Sequence, residues 1–309
     1  MQRPLDKSKS YWPFTELRAK SDNLKSVHVP RISVVIPSYN QATFLEETIR
    51  SILYQHYSNI EIIIIDGGSN DGSVDIIKHY SESVTYWVSE KDNGQSDAIN
   101  KGLNVATGDI VTWLNSDDFY APGTLHFIAE NLEAGVGLYI GQGHKINLER
   151  RVVYSPKPKN PTVEGFLNWS NGNNFMQPAA FFSKEAWDSC GPLNEDLNFC
   201  MDVDLWIKIA AKFPIKLLGR TLAFAYEHPD AKTTADKVNM RIETLLLSAS
   251  YGDWSVAKKG LQQLVTENQG VGPRRNMFTS LYRKARRLIK PAAVKPSVEE
   301  YFVEYATRE

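Results

Sequence analysis

The 309-residue chain has only two cysteines, Cys190 and Cys200. They form no Cys-x-x-Cys pattern and have no histidine pair beside them, which argues against a zinc site or a disulfide framework and leaves two buried free thiols as the expectation. An excess of charge is also missing: 35 Lys and Arg stand against 36 Asp and Glu, a net charge of −1. A nucleic-acid-binding domain usually carries a strong basic excess, so no nucleic-acid partner is expected. No apolar run approaches the ~18–20 residues that cross a bilayer. Residues 1–30 are polar, with Arg3, Lys7, Lys9, Arg18, Lys20 and Lys25, and lack the apolar centre of a signal peptide. Cytoplasmic residence is therefore expected. Two nucleotide-binding signatures are absent as well. There is no G-x-x-x-x-G-K-[S/T] loop, and Pro37-Ser38-Tyr39-Asn40 stands where G-x-G-x-x-G would follow the first strand.

What is present is ordinary globular composition, 42% hydrophobic and 23% charged, arranged in alternating strand and helix patterns. Residues 1–30 form a lead-in that Tyr11, Trp12 and Phe14 could pin to the main domain. Ile32–Pro37 reads as a buried strand. Thr43–Gln55 reads as a helix with Thr43 as N-cap and Glu46 three residues later. Glu61–Asp66 carries four consecutive isoleucines, which predicts a strand buried on both faces, as in a parallel sheet. Helix Ser73–Tyr80, strand Thr85–Ser89, helix Ser96–Ala106, strand Asp109–Leu114, helix Thr124–Leu132 and strand Gly137–Gly141 continue the alternation. This predicts an α/β, Rossmann-like, doubly wound and mostly parallel sheet flanked by helices. The second half is less regular. Helical patterns fall near Gly165–Trp169 and over Met201–Phe213, and strand patterns over Ala179–Phe182, Ile215–Leu218 and Leu222–Tyr226. Thr244–Val265 reads as helical with a break at Tyr251-Gly252-Asp253, which predicts a helical C-terminal extension.

Ligands of an open parallel sheet bind beyond the carboxyl ends of its strands. Four strand ends carry polar loops: Pro37–Gln41, Asp66–Ser73, Ser89–Gly94 and Asn115–Asp118. The topology predicts them on one rim. Asp66 can accept a hydrogen bond from a nucleobase N–H, or it can cap the Asp-Gly turn that follows it. Both readings stay open on spacing alone. In Asn115-Ser116-Asp117-Asp118 two adjacent carboxylates repel unless a cation neutralises them, and Mg²⁺ or Mn²⁺ bridging to a diphosphate would do so. The competing reading is an acidic cap for the helix near Thr124. At Met201-Asp202-Val203-Asp204 the acids either cap a helix or supply a general base. His228 alone is more often a surface or core residue than a ligand.

Taken together, ISVVIPSYN (32–40), IIIIDGGSNDGS (62–73) and DNGQSDAINKGLNVATGDIVTWLNSDD (92–118) resemble the family-2 glycosyltransferases of GT-A fold in order and spacing. The resemblance runs from about Arg31 to His228, about two-thirds of the chain. It implies a catalytic domain over 31–230, with a nucleotide-binding half (31–118) and an acceptor half (119–230), between the lead-in 1–30 and the extension 231–309. It implies nucleotide contacts at Pro37, Ser38, Tyr39, Asn40, Asp66, Gly67, Asn115 and Ser116. Asp117 and His228 are implied as metal-binding, Asp202 as the catalytic base, and Asp97, Asp118, Gln177 and Lys232 as donor- or acceptor-binding. The implied reaction is metal-dependent inverting transfer from a nucleotide sugar, with UDP preferred, to a saccharide or lipid-linked hydroxyl. Mg²⁺ or Mn²⁺ is the implied cofactor. Two residues depart from the family pattern: Asn115 replaces the first acid of D-x-D, and Met201 replaces the glutamate before the base. The Gln-x-x-Arg-Trp motif of processive synthases is missing, which favours single addition. A nucleotidyltransferase and an inactive nucleotide- or carbohydrate-binding module are the competing readings.

Beyond the resemblance, residues 274–290 place Met277, Phe278, Leu281, Tyr282, Ala285, Leu288 and Ile289 on one helical face beside seven basic residues. A basic amphipathic helix of this kind binds a membrane surface or docks on its own domain.

Overall fold

The computed structural model describes residues 12–14, 29–229, 231–232 and 236–268. The basic segment 274–290 and Tyr11 lie outside them. In chain order the elements are β1 (Ile32–Ser38), α1 (Ala42–Leu53), β2 (Ile60–Asp66), α2 (Ser73–His79), β3 (Tyr86–Ser89), α3 (Gln95–Val105), β4 (Ile110–Trp113), β5 (Asp118–Tyr120), α4 (Thr124–Glu130), β6 (Leu138–Ile146), β7 (Val152–Tyr154), α5 (Val163–Leu167), β8 (Ala180–Ser183), α6 (Lys184–Cys190), α7 (Met201–Ala210), β9 (Ile215–Tyr226), α8 (Lys237–Ser250) and α9 (Trp254–Asn268). The chain divides into two compact units within α8, one ending at Leu245 and the other starting at Leu246. Residues 231–245, expected in the extension, fall in the first unit. None of the helices of the described residues is long and apolar enough to cross a membrane.

The strands form one nine-stranded sheet, ordered β3-β2-β1-β4-β8-β6-β9-β5, with β7 beside β6. Its first part is the expected parallel sheet: β1 pairs in parallel with β2 and β4, and β2 with β3. Beyond β4 the sheet is mixed. β8 enters antiparallel between β4 and β6, β5 runs antiparallel to β9, and β6 and β9 are parallel. The apolar patterns of Ala180–Ser183 and of 215–226 do not encode strand direction, so the long return through residues 155–179 sets it. The two strands expected in 215–226 are one strand whose register shifts against β6.

The register fixes the rim. Ser38 pairs with Asp66, and Asp66 with Ser89, so β1, β2 and β3 end level with one another. Ile62 to Ile65 of β2 are buried, as are Ile32, Val34, Val35 and Ile36 of β1. Helix α3 lies close against this face because Gly102 has no side chain; a Cβ there would stand 2.3 Å from Val35 Cγ1. Helix α1 begins after Gln41, not at Thr43, and its first N–H groups are satisfied from outside: Gln41 N donates to Ser73 Oγ and Ala42 N to Asp71 Oδ2. The expected lead-in anchor is seen at Trp12, whose indole N–H donates to the Tyr120 carbonyl (2.8 Å), and at Phe14, beneath the Arg50 guanidinium.

At the opposite rim Glu61 is buried and accepts from Ser33 Oγ, Thr107 N and Thr107 Oγ1, with Arg31 at 3.1 Å. Burial pushes its pKa up, but the hydrogen bonds and the Arg31 charge outweigh it and hold the carboxyl below its ordinary value. A carboxylate with a lowered folded pKa stabilises the fold at neutral pH, and that contribution is lost as pH falls through the folded value. Glu61→Gln should lower unfolding free energy at pH 7 by about 1–3 kcal/mol, with the difference from wild type shrinking in acid. Urea unfolding at several pH values checks this; a pH-independent difference would contradict the ionised role.

Candidate functional site

The four polar loops converge on one cleft of about 1110 Å³. Its walls include Pro37, Ser38 and Tyr39 at the end of β1, Gly67 after β2, Lys91, Asp92, Gly94 and Gln95 after β3, and Asn115 to Asp118 after β4. Asp202 at the start of α7, Gln177 before β8 and Lys232 complete it. Residues far apart in the chain therefore face one space, as the topology requires.

The acid loop is held by an amide network. Asn115 Nδ2 donates to Asp118 Oδ2 (3.1 Å) and to Gln177 Oε1 (3.3 Å), and Asn115 Oδ1 accepts from Gln95 Nε2 (2.8 Å). Gln177 Nε2 donates to the Trp113 carbonyl, and Lys232 Nζ reaches Gln95 Oε1 at 3.3 Å. This explains the amide at 115: a carboxylate there would face two acceptors. Asp118 is buried, and burial together with the Asp117 charge pushes its pKa well up. The loop is not a helix cap, because β5 begins at Asp118 and separates it from α4.

β9 brings His228 to this loop. It pairs with β5 through Asp118↔Ala225, and two residues past its end His228 Nε2 lies 3.1 Å from Asp117 Oδ2. The imidazole is buried against Phe44, with ring centroids 4.7 Å apart. Asp117 and His228 are the pair that a metal beside this loop would meet. Among the described residues no group of three or more His, Cys, Asp or Glu is arranged to hold a metal by protein ligands alone. Mg²⁺ and Mn²⁺ typically take one or two carboxylates and complete their shell with water and substrate phosphates, so the donor set fits an ion that arrives with a diphosphate.

Asp202 sits in the first turn of α7, and its Oδ1 accepts from Val203 N (2.8 Å). Burial raises its pKa to about 6, with Lys232 opposing and Glu243 assisting. A carboxylate so tuned can accept a proton near neutral pH. The same two acids raise the Lys232 pKa, but loss of water around its ammonium outweighs them and lowers it. Asp204, the other acid of this turn, pairs with Lys208. The turn before α7 is fastened by Glu243 of α8, which is buried and accepts from the backbone N–H groups of Asn198, Phe199 and Cys200. Burial is also the main reason the Cys200 thiol is pushed well up, so it stays protonated; Cys190 is likewise buried and free.

Four expected site residues are not on the cleft wall. Asp66 is 0% exposed, and its two oxygens accept from Gly68 N, Ser69 N, Ser69 Oγ and Ser89 Oγ, the turn-capping alternative. Asn40, at φ 52, accepts from Asn70 N and donates its own N–H to Ser69 Oγ. It ties the first loop to the second. Asp97 accepts from Asn93 N and pairs with Lys101, closing the β3–α3 loop. His228 does not itself line the cleft but touches Asp117 Oδ2, which belongs to a residue that does. Gln95 and Asp92 line the cleft but carried no expected role. The signal for them was their place in DNGQSD after a strand. Glu243 had no spacing signal at all.

The sequence pattern of glycosyl transferase family 2 matches residues 33–190, just over half of the chain. The chain belongs to this family. A glycosyltransferase of Rickettsia typhi is 29% identical over 228 residues, 70% of this chain and 69% of its own; two other rickettsial relatives are longer, the match covering 34% of each. Staphylococcus aureus TarS 1-349, solved with UDP-GlcNAc, superposes with a TM-score of 0.60 at 15% identity, over 84% of this chain and 82% of that one. The mannosyltransferase PcManGT of Pyrobaculum calidifontis, solved with GDP-Man and Mn²⁺, gives 0.54 at 18% identity, over 91% and 80%. The protein is thus a glycosyltransferase of GT-A fold.

Asn115→Asp tests the amide network. In the presence of a chelator the variant should be less stable than wild type by about 1–3 kcal/mol at pH 7, read by thermal unfolding. Equal stability would mean that the network does not dictate the amide.

Proposed function

We propose that this glycosyltransferase moves a sugar from a nucleoside-diphosphate sugar to a hydroxyl of a saccharide or lipid-linked acceptor, with inversion and with Asp202 as general base. The observation that carries the reading is the meeting of Asp202 with the Asn115–Asp118 loop across one cleft. UDP-GlcNAc and GDP-Man in the two similar structures support a nucleotide-sugar donor. The aromatic ring of Tyr39, 61% exposed on the cleft wall, offers a surface for a base to stack.

In this reading the diphosphate lies beside Asp117 and the anomeric carbon faces Asp202. Asp202 removes the proton of the acceptor hydroxyl as the oxygen attacks from the side opposite the leaving diphosphate, so configuration inverts. One displacement needs one base, and Asp202, whose pKa is raised to about 6, lies on that wall. Asp117 and His228 would hold a divalent cation, which when bound neutralises charge growing on the diphosphate. Mn²⁺ in the mannosyltransferase structure supports this choice. Lys232, tied to Gln95, adds positive charge on the same wall.

The test is turnover of a panel of sugar nucleotides with Mn²⁺, following release of nucleoside diphosphate. The base form of Asp202 is required, so kcat/KM should fall as pH drops through about 6 and be near a tenth of its plateau about one unit lower. Asp202→Asn should lose about 10²–10⁴-fold in kcat and lose that acid limb. A chelator should abolish wild-type turnover. Near-normal turnover by the variant, or pyrophosphate as the product, would contradict the reading.

A further inference from the structure

We propose that Asp92, whose carboxylate fills the space beside Gly67, selects the nucleobase of the donor by accepting the ring N–H of a uracil or guanine base stacked on Tyr39. The inference rests on the nucleotide-sugar reading and deepens it.

The carboxylate that ends β2 has no capacity left for a ligand. Asp66 is fully enclosed, and four donors from its own loop and from Ser89 occupy its two oxygens. An ionised carboxylate accepts about four hydrogen bonds, so Asp66 is saturated by the fold itself. The next residue, Gly67, does reach the cleft wall and has no side chain to offer. The space a side chain would take at 67 is already filled. A Cβ there would lie 2.6 Å from Asp92 Oδ2 and 3.0 Å from its Cγ. Asp92, arriving from the β3–α3 loop, therefore presents a carboxylate at the mouth of β2.

Its orientation is fixed. Asp92 Oδ1 accepts from Gly94 N at 2.9 Å, which leaves Oδ2 directed over Gly67. Tyr39 follows Ser38, the register partner of Asp66, and lines the same part of the cleft with its ring exposed. Ring and carboxylate on one cleft wall supply what a base needs, a surface to stack on and an acceptor for its edge.

A carboxylate only accepts. Uracil offers it the N3–H, and guanine offers N1–H with the N2 amine beside it. Cytosine and adenine offer an exocyclic amine next to an unprotonated ring nitrogen, whose lone pair would face the charge. A site built around an acceptor of this kind penalises bases that leave it unpaired.

The experiment is calorimetric titration of the full chain with UDP, GDP, CDP and ADP in Mn²⁺, for wild type, Asp92→Asn and Gly67→Ala. Asp92→Asn keeps the Oδ1 bond to Gly94 and exchanges the acceptor over Gly67 for an amide donor. Wild type should bind UDP or GDP at least about tenfold more tightly than CDP and ADP; which of the two wins identifies the base. Asp92→Asn should lose about tenfold on that base and not on CDP, so the gap between them closes. Gly67→Ala should narrow the same gap, because its methyl displaces the carboxylate, and it provides the test should Asp92→Asn fail to fold. An unchanged ranking, or an equal loss on all four ligands, would overturn the role of Asp92 and leave the nucleotide-sugar reading intact. Failure of wild type to bind any of the four would overturn that reading and the inference with it.

Discussion

The indoles of Trp113 and Trp206 stack 5.6 Å apart and 5° from parallel, and the site depends on that contact. Trp113 is the last residue of β4, two before Asn115; Trp206 lies one helical turn after Asp202. Both are fully buried, with Phe182 against each and Phe175 against Trp206. Aromatic pairs add stabilisation beyond their buried area, and rigid packing leaves little freedom for α7 to slide relative to β4. The stack thus fixes where the helix bearing Asp202 sits relative to the loop bearing Asp117. Glu243 fastens the start of the same helix from another direction.

Around that fixed pair the polar groups divide into those that shape the cleft and those that face it. Asp66, Asn40 and Asp97 spend their hydrogen-bonding capacity on neighbouring loops. Asn115, Gln95, Gln177 and Lys232 form a chain across the cleft that holds Asp118. An acid at 115 would break that chain, so this departure from the family's acidic pair follows from the amides around it. Asp117, Asp92 and Asp202 remain at the wall with the chemistry of acceptors or bases.

The parallel part of this architecture was legible in the sequence because its signals are local. The four consecutive isoleucines of β2 and the polar loops after β1, β2, β3 and β4 identify strands and rim without knowledge of the rest. What was not legible depended on contacts distant along the chain. The antiparallel entry of β8 and the three-residue strands β5 and β7 are set by pairing partners, not by their own short patterns. Asp66 read equally well as a base reader or a turn cap, and only the positions of Ser69 and Ser89 decide between them. Glu243 lies more than forty residues from the N–H groups it caps, a relation that no spacing encodes.

The central claim is that Asp117 and Asp202 flank one donor pocket on the carboxyl rim of the parallel strands. A crystal structure with Mn²⁺ and a sugar nucleotide, recorded near the manganese absorption edge, tests it most directly. The account predicts an anomalous peak between Asp117 and the diphosphate, with the anomeric carbon facing Asp202. A nucleotide bound at the opposite rim near Glu61, or manganese remote from Asp117, would contradict it.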